Sequence, residues 1–228
     1  MSSCLTDLFS GTGGVGVVDV AGFPVEVESD TWANADAGGG YLYGQLSHVL
    51  AIGLWLVPDE PEDVFARMQL LENGVDLDIQ LSIGHAGGAI GMYSGQGHEP
   101  WGRRHACDLR IAGEDGVLTL DFDRAQAQLL LEADKEKAEW LTIEPDPPAT
   151  EADADYTCDG PAQFLVDTCL GRPAVNHAPL DLGVRTVSVM EAAWQSAHSG
   201  EVVRIAELVA CVTRCRIDLR NAPNRKQC

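Results

Sequence analysis

The chain has 228 residues, 45% of them hydrophobic and 22% charged, with a formal net charge of −20. That length and composition fit a globular fold with a core of its own, and so acidic a surface repels phosphate backbones and anionic lipid, which excludes nucleic acid and membrane surfaces as partners. Seven cysteines stand at 4, 107, 158, 169, 211, 215 and 228 with no paired His/Cys spacing, so reduced thiols and no metal site are expected.

The N-terminal "MSSCLTDLFS" has no basic or apolar leader pattern, and no long apolar run occurs, so a cytoplasmic protein is expected. Gly11, Gly13 and Gly16 then spell G-x-G-x-x-G, the spacing of a dinucleotide turn. Such a turn needs a strand leading in and a helix leading out, whose N-terminal N–H groups meet the pyrophosphate. Here Val18, Val20, Val25 and Val27 alternate with Asp19, Glu26 and Glu28, a period of two that predicts a hairpin turned at "AGFP". The glycines therefore read as a lead-in loop. Asp36, 20 residues after Gly16, sits in the loop "ANADAGGG", and no cofactor-binding residue is assigned.

Gly38, Gly39 and Gly40 open a buried helix with Leu42, Leu46, Val49, Leu50 and Leu54 at helical spacing, stopped by Pro58 and Pro61. A β-rich centre follows. "EDVFARMQ" and the alternating "VDLDIQLSI" read as strands, "GHAGG" as a turn, and "AIGMYSG" as the return. "HACDLRIAG" meets "VLTLDFD" across "EDG", and "AQAQLLLEA" continues the meander. The Pro- and acid-rich stretch Thr142–Gly160 reads as a loop. Two helices follow. The first runs from Asp159 and Pro161 to Gly171; the second runs from Pro179 to Gly200 with Leu180, Val184, Val187, Met190, Trp194 and Ala197 as its apolar repeat. "EVVRI" predicts a last strand. The basic tail 207–228 lacks periodicity and is expected to be poorly ordered. The sum is an α+β fold, a large open mostly antiparallel sheet with helices packed on one face, formed by residues 1–206.

Within the first helix, straight α-helical spacing places Tyr41, Gly44, Gln45, His48 and Ile52 on one stripe. A polar stripe on an otherwise apolar helix suggests a side facing a cavity, where His48 could exchange a proton with a substrate hydroxyl. A half-buried histidine satisfied by its neighbours is the alternative. His85, His98, His105, His177 and His198 stand among turns and helix ends and read as structural or exposed, and Arg103 and Arg104 beside Trp101 read as a solvated loop.

The ordered segments "GGGYLYGQLSHVLAIGLWL", "GHAGGAIGMYSGQG", "DLRIAGEDGVLTLDFDR" and "GRPAVN" through "EAAWQSAHSG" to "EVVRI" resemble the C-terminal domain of the Gfo/Idh/MocA oxidoreductase family, from about Phe9 to Ile205. The resemblance implies an α+β domain that supplies much of a sugar or polyol pocket and oligomerises through its sheet face. It implies NAD or NADP as cofactor, held by a Rossmann domain with a Glu-Lys-Pro motif that this sequence does not show. The second-domain motif, roughly G-G-G-x-x-x-D-x-G-x-H-x-x-D, is matched by Gly38, Gly39, Gly40 and His48. It is departed from at Gly44, Leu46 and Ala51, where the family has aspartate, glycine and aspartate. His48 is thus the catalytic candidate, with Tyr41 and Gln45 as substrate contacts, and Gln45 can hydrogen-bond but cannot act as a base. The expectation is the substrate-binding and oligomerisation half of an NAD(P)-dependent sugar or polyol oxidoreductase, inactive alone and served by a separate Rossmann-domain subunit. A non-catalytic polyol-binding or oligomerisation module, or a truncated gene product, is the alternative.

Overall fold

The computed structural model describes residues 16–22, 32–97, 106–122, 126–131, 140–143, 159–176 and 178–208. Alternation builds the sheet. In β3 (Asp76–His85), Leu77, Ile79, Leu81 and Ile83 are buried while Gln80 is exposed, so the strand lends one full side to the core. β2 (Pro61–Leu70) and β4 (Ile90–Gln96) flank β3 as antiparallel neighbours. β5 (Ala106–Gly113), β6 (Gly116–Asp121), β7 (Gln126–Leu131) and β8 (Trp140–Ile143) form a second antiparallel meander. β1 (Gly16–Gly22) joins the two, antiparallel to β5 and parallel to β4. β9 (Val203–Arg204) adds to the outer edge through Val64 and Asp63 of β2. The order is β8-β7-β6-β5-β1-β4-β3-β2-β9, and β1–β4 is its parallel pair.

The α+β sheet expected from the alternation is what forms. Two details differ from the sequence reading. β1 takes its partners from β4 and β5, and the return strand of its expected hairpin lies outside the described residues. β8 was not anticipated, because four residues next to a Pro-rich stretch give too short a period to read. Residues 144–158 and 209–228 lie outside the described residues, and 205–208 make a helical turn after β9.

Two of the helices pack on one face of the sheet. A π-helical turn, Leu42–Leu46, runs straight into α1 (Ser47–Leu56), and Leu42, Leu46, Val49, Leu50 and Leu54 are all buried as their spacing predicts. α2 (Asp159–Cys169) ends where Gly171 turns at φ 66°. α3 (Leu180–Ser199) lies along β2, packs against α1, and is closed by Gly200 at φ 76°. The other face exposes Arg67, Gln80, Arg110 and an apolar pair, Ile90 and Met92.

The buried side of α3 is a correction to the sequence reading. Leu180, Val184 and Val187 are exposed; Leu182, Thr186, Val189, Met190, Ala192, Ala193 and Ser196 face the core. Of the expected repeat, Leu180, Val184 and Val187 point outward, whereas its later members Met190, Trp194 and Ala197 are buried or packed against the core, alongside a second series offset by two residues. The inner series wins because its small residues let the helix approach β2 closely. Ser196 Oγ accepts the Ala66 N–H at 2.9 Å and donates to the Glu201 carbonyl at 2.6 Å, and Thr186 Oγ1 donates to the Leu182 carbonyl at 2.8 Å. These bonds remove the cost of burying hydroxyls. Met190→Ala should therefore cost about 2–5 kcal/mol in urea denaturation, and Val187→Ala less than about 0.5 kcal/mol. Equal losses would place Val187 in the core and reject this orientation.

Candidate functional site

The site is built on the approach to α1. The loop from Trp32 to Gly40 folds back on itself. The Gly40 N–H donates to the Trp32 carbonyl at 3.1 Å, and the Ala37 and Gly39 N–H groups donate to Asn34 at 3.1 and 2.9 Å. Gly38 and Gly40 take φ of 77° and 99°, a region closed to most side chains. Gly40 has a second reason to be glycine: the Asp76 carboxylate occupies the place where a Cβ would stand.

Asp76 is the buried charge of the region, 1% exposed at the start of β3. Its Oδ2 accepts the Leu42 N–H at 2.8 Å. The carboxylate thus caps the helix start, where N–H groups lack intrahelical partners and the dipole favours an anion. Burial nevertheless dominates and pushes the Asp76 pKa up to about 6; the backbone N–H groups of Leu42, of Asp76 itself and of Tyr41 pull it back down, and Asp78 adds a smaller upward push.

The π turn decides which side chains emerge. The Ser47 N–H bonds to the Leu42 carbonyl, five residues back, and each such bond adds one residue to the turn. One inserted residue rotates what precedes it by about 100° relative to a straight α-helix. Tyr41 is accordingly swung into the core, fully buried against Gly95 and Ile79. Gly44 and Gln45 are half-buried, His48 is exposed, and Ile52 and Trp55 continue the same side. The stripe drawn at α-helical spacing keeps Gly44, Gln45, His48 and Ile52 and loses Tyr41. Tyr43, beside them, reaches across to Glu191 of α3 at 3.4 Å, and burial, then Glu191, raises its pKa to about 12. It stays a protonated donor and ties α1 to α3.

Gly44 holds a feature that spacing did not reveal. A Cβ there would collide with the benzenoid carbons of Trp32, so the indole comes up against the helix backbone one turn before His48. The signal in the sequence was only the glycine itself.

Elsewhere, His85 is buried with Nδ1 hydrogen-bonded to the Asp59 carbonyl at 3.0 Å, while Arg185 donates to the same carbonyl at 3.0 Å and pairs with Glu60 at 3.2 Å. Desolvation lowers the His85 pKa, which keeps the ring neutral and structural. A shallow cavity of about 440 Å³ lined by Asp108, Arg110, Thr119, Asp121, Gln126 and Gln128 lies on the sheet face opposite α1. Among the described residues no group of three or more His, Cys, Asp or Glu could hold a metal ion, and no helix is long and apolar enough to cross a membrane. His98, His105, Arg103 and Arg104 lie outside the described residues.

Residues 18–119 match the family model of the GFO/IDH/MocA C-terminal domain, so the resemblance read from the sequence is borne out. The chain is similar in fold to a levoglucosan dehydrogenase solved with NADH and L-sorbose, with a TM-score of 0.73 and 17% identity over 90% of this chain. It is also similar to an oxidoreductase domain protein from Kribbella flavida (TM-score 0.71, 19% identity, 90% of this chain). A third similar fold is an aldose-aldose oxidoreductase from Caulobacter crescentus complexed with glycerol (TM-score 0.68, 19% identity, 89% of this chain). The chain spans 61%, 61% and 58% of those chains. No curated protein matches in sequence.

The raised Asp76 pKa fixes a pH dependence. A carboxyl that holds its proton more tightly when folded favours folding at low pH, and that contribution is lost as the pH rises through about 6. Asp76→Asn keeps an oxygen acceptor for Leu42 and removes the titration. Measured by urea denaturation, the stability of Asp76→Asn relative to wild type should rise by on the order of 2–3 kcal/mol between about pH 4 and pH 7. A difference that stays flat over that range would show that Asp76 is not the group responsible.

Proposed function

Proceeding from the GFO/IDH/MocA C-terminal domain that residues 18–119 match, we propose that the chain is the substrate side of an NAD(P)-dependent sugar or polyol oxidoreductase. The observation that carries this reading is the position of His48. The histidine of the family's second-domain motif stands exposed on α1, behind the glycine loop that Asp76 locks in place. An imidazole there can exchange a proton with a substrate hydroxyl, and Gln45 can hold a neighbouring one. The cofactor, when bound, takes the hydride; the groups that cradle a pyrophosphate belong to a Rossmann unit, which we assign to a partner subunit. His48 is thus the catalytic candidate and Gln45 a substrate contact, while Tyr41 supports the helix from beneath. Assembly into a homo-oligomer in the cytoplasm would use the open sheet face, where Ile90 and Met92 form an exposed apolar strip.

One observation favours a second reading, a polyol-binding or assembly module without chemistry. Position 44, where the family has a carboxylate beside the histidine, is glycine, and the indole of Trp32 fills the space. No base then stands one turn before His48.

Calorimetric titration with D-glucose and myo-inositol separates the possibilities. His48→Ala should weaken binding about tenfold, the worth of one hydrogen bond. Unchanged affinity would reduce His48 to a surface residue. The isolated chain should form no NADH from NAD and either polyol, and turnover would refute the need for a partner. Light scattering should give a dimer or larger that Met92→Glu dissociates; a monomeric wild type at micromolar concentration would remove the assembly role.

A further inference from the structure

The first half of α3 turns large apolar side chains away from the core. Leu180, Val184 and Val187 are 83%, 57% and 55% exposed at positions i, i+4 and i+7, so they form one row along the helix. Gly183 lies beside the row, also exposed, with nothing within 4 Å of where its Cβ would stand. The row carries no charge of its own in a chain of net charge −20. Asp181 borders it at the start, and the Arg185 guanidinium is turned inward to Glu60 and the Asp59 carbonyl. α2 is more open still. Only Phe164 and Asp167 are half-buried between 160 and 170, and Leu165, Val166 and Leu170 are exposed. A helix of 11 residues is marginal in water unless it packs on something. With Val175 between the two helices, seven large apolar side chains stand exposed between 165 and 187. They present on the order of 700 Å², above the ~300–600 Å² of the largest patch on a typical monomer and close to the ~800 Å² per partner of a stable interface.

We propose that this helical face docks a second copy of the chain, the row of Leu180, Val184 and Val187 lying antiparallel on the same row of its partner across a two-fold axis near Val184. A two-fold interface has to match itself. An uncharged apolar row does so, whereas the acidic surface elsewhere on the chain repels its own copy. The antiparallel order sets Leu180 of each copy beside Val187 of the other. It also places the two Asp181 carboxylates on opposite sides of the axis, about 9 Å apart along it. Gly183 leaves the helix backbones free to approach to the ~8–10 Å of packed helices. The size of the exposed patch supports the same occupant, since it equals what one protomer contributes to a stable dimer. α3 lies on the side of the sheet opposite to Ile90 and Met92, so this surface is separate from the sheet-face assembly above and does not rest on it. Two self-matching surfaces on opposite sides of one protomer build a tetramer when the assembly closes.

The test measures mass by light scattering after size-exclusion chromatography, at micromolar concentration, for wild type, Met92→Glu, Val184→Glu and the double variant. Thermal melts monitor the fold, and both replaced side chains are exposed. Wild type should be a tetramer. Met92→Glu should leave a dimer held through α3, and adding Val184→Glu should turn that dimer into a monomer, a loss of at least about tenfold in affinity from burying two carboxylates near the axis. A monomeric Met92→Glu overturns the proposal and leaves the helical face to a different protein. A Met92→Glu dimer that Val184→Glu does not weaken overturns it as well. A wild-type dimer that Val184→Glu dissociates and Met92→Glu does not supports the helical surface and removes the sheet-face one. A monomeric wild type overturns both. Should Val184→Glu fail to fold, Val187→Glu at the end of the row decides in the same way.

Discussion

The contact between the Asp76 carboxylate and the first N–H groups of the site helix is the constraint on which the rest depends. It joins the edge of β3 to the glycine loop and fixes where helical bonding begins. The arrangement is costly: a carboxylate is removed from water and its ionised form is disfavoured, and the nearby backbone N–H groups, led by that of Leu42, only partly offset burial. It persists because both elements need it. Without an acceptor the first helical N–H groups would be buried unpaired, and with any side chain at position 40 the carboxylate could not reach them. Glycine at 40 and aspartate at 76 are therefore one feature, 36 residues apart in the chain.

From that anchor the π turn follows a mechanical logic. The helix must start at Asp76 and must also bury Leu46, Val49, Leu50 and Leu54 against the sheet and α3. A straight α-helix beginning at the anchor would rotate Tyr41 outward with His48. One widened turn reconciles the two demands, sending Tyr41 under the helix onto Gly95 and leaving Gly44, Gln45 and His48 on the open side. Gly95 and Gly44 serve the same purpose on opposite sides of the helix, each removing a side chain so that an aromatic ring can lie on backbone.

Much of this was legible in the sequence, and the limits have physical causes. Strands β3 to β7 and the burial of α1 came directly from period two and period 3.6, since each element has one clearly apolar side. His48, expected either beside a cavity or half-buried, is exposed, on the part of the helix that lies beyond the π turn. Tyr41 was misplaced because a π turn leaves no compositional trace. The first half of the α3 face differs because hydrophobicity favours Leu180, Val184 and Val187, whereas close packing favours Leu182, Thr186 and Val189; its second half, from Met190 to Ala197, lies against the core as the repeat predicts. Asp76 looked like an ordinary outward residue in an alternating strand. Only the tertiary partner at Gly40 reveals it as a cap.

The glycines at 11, 13 and 16 show why spacing needs its surroundings. The third of them opens β1, which runs into the middle of the sheet between β4 and β5. A phosphate-binding turn must hand the chain to a helix, because aligned N–H groups at a helix start are what hold the pyrophosphate. A strand in the same place spends those N–H groups on its neighbours. The glycine run that does lead into a helix is Gly38 to Gly40, and there the anion is already supplied from within, by Asp76. The start of that helix is filled by a carboxylate of the protein itself.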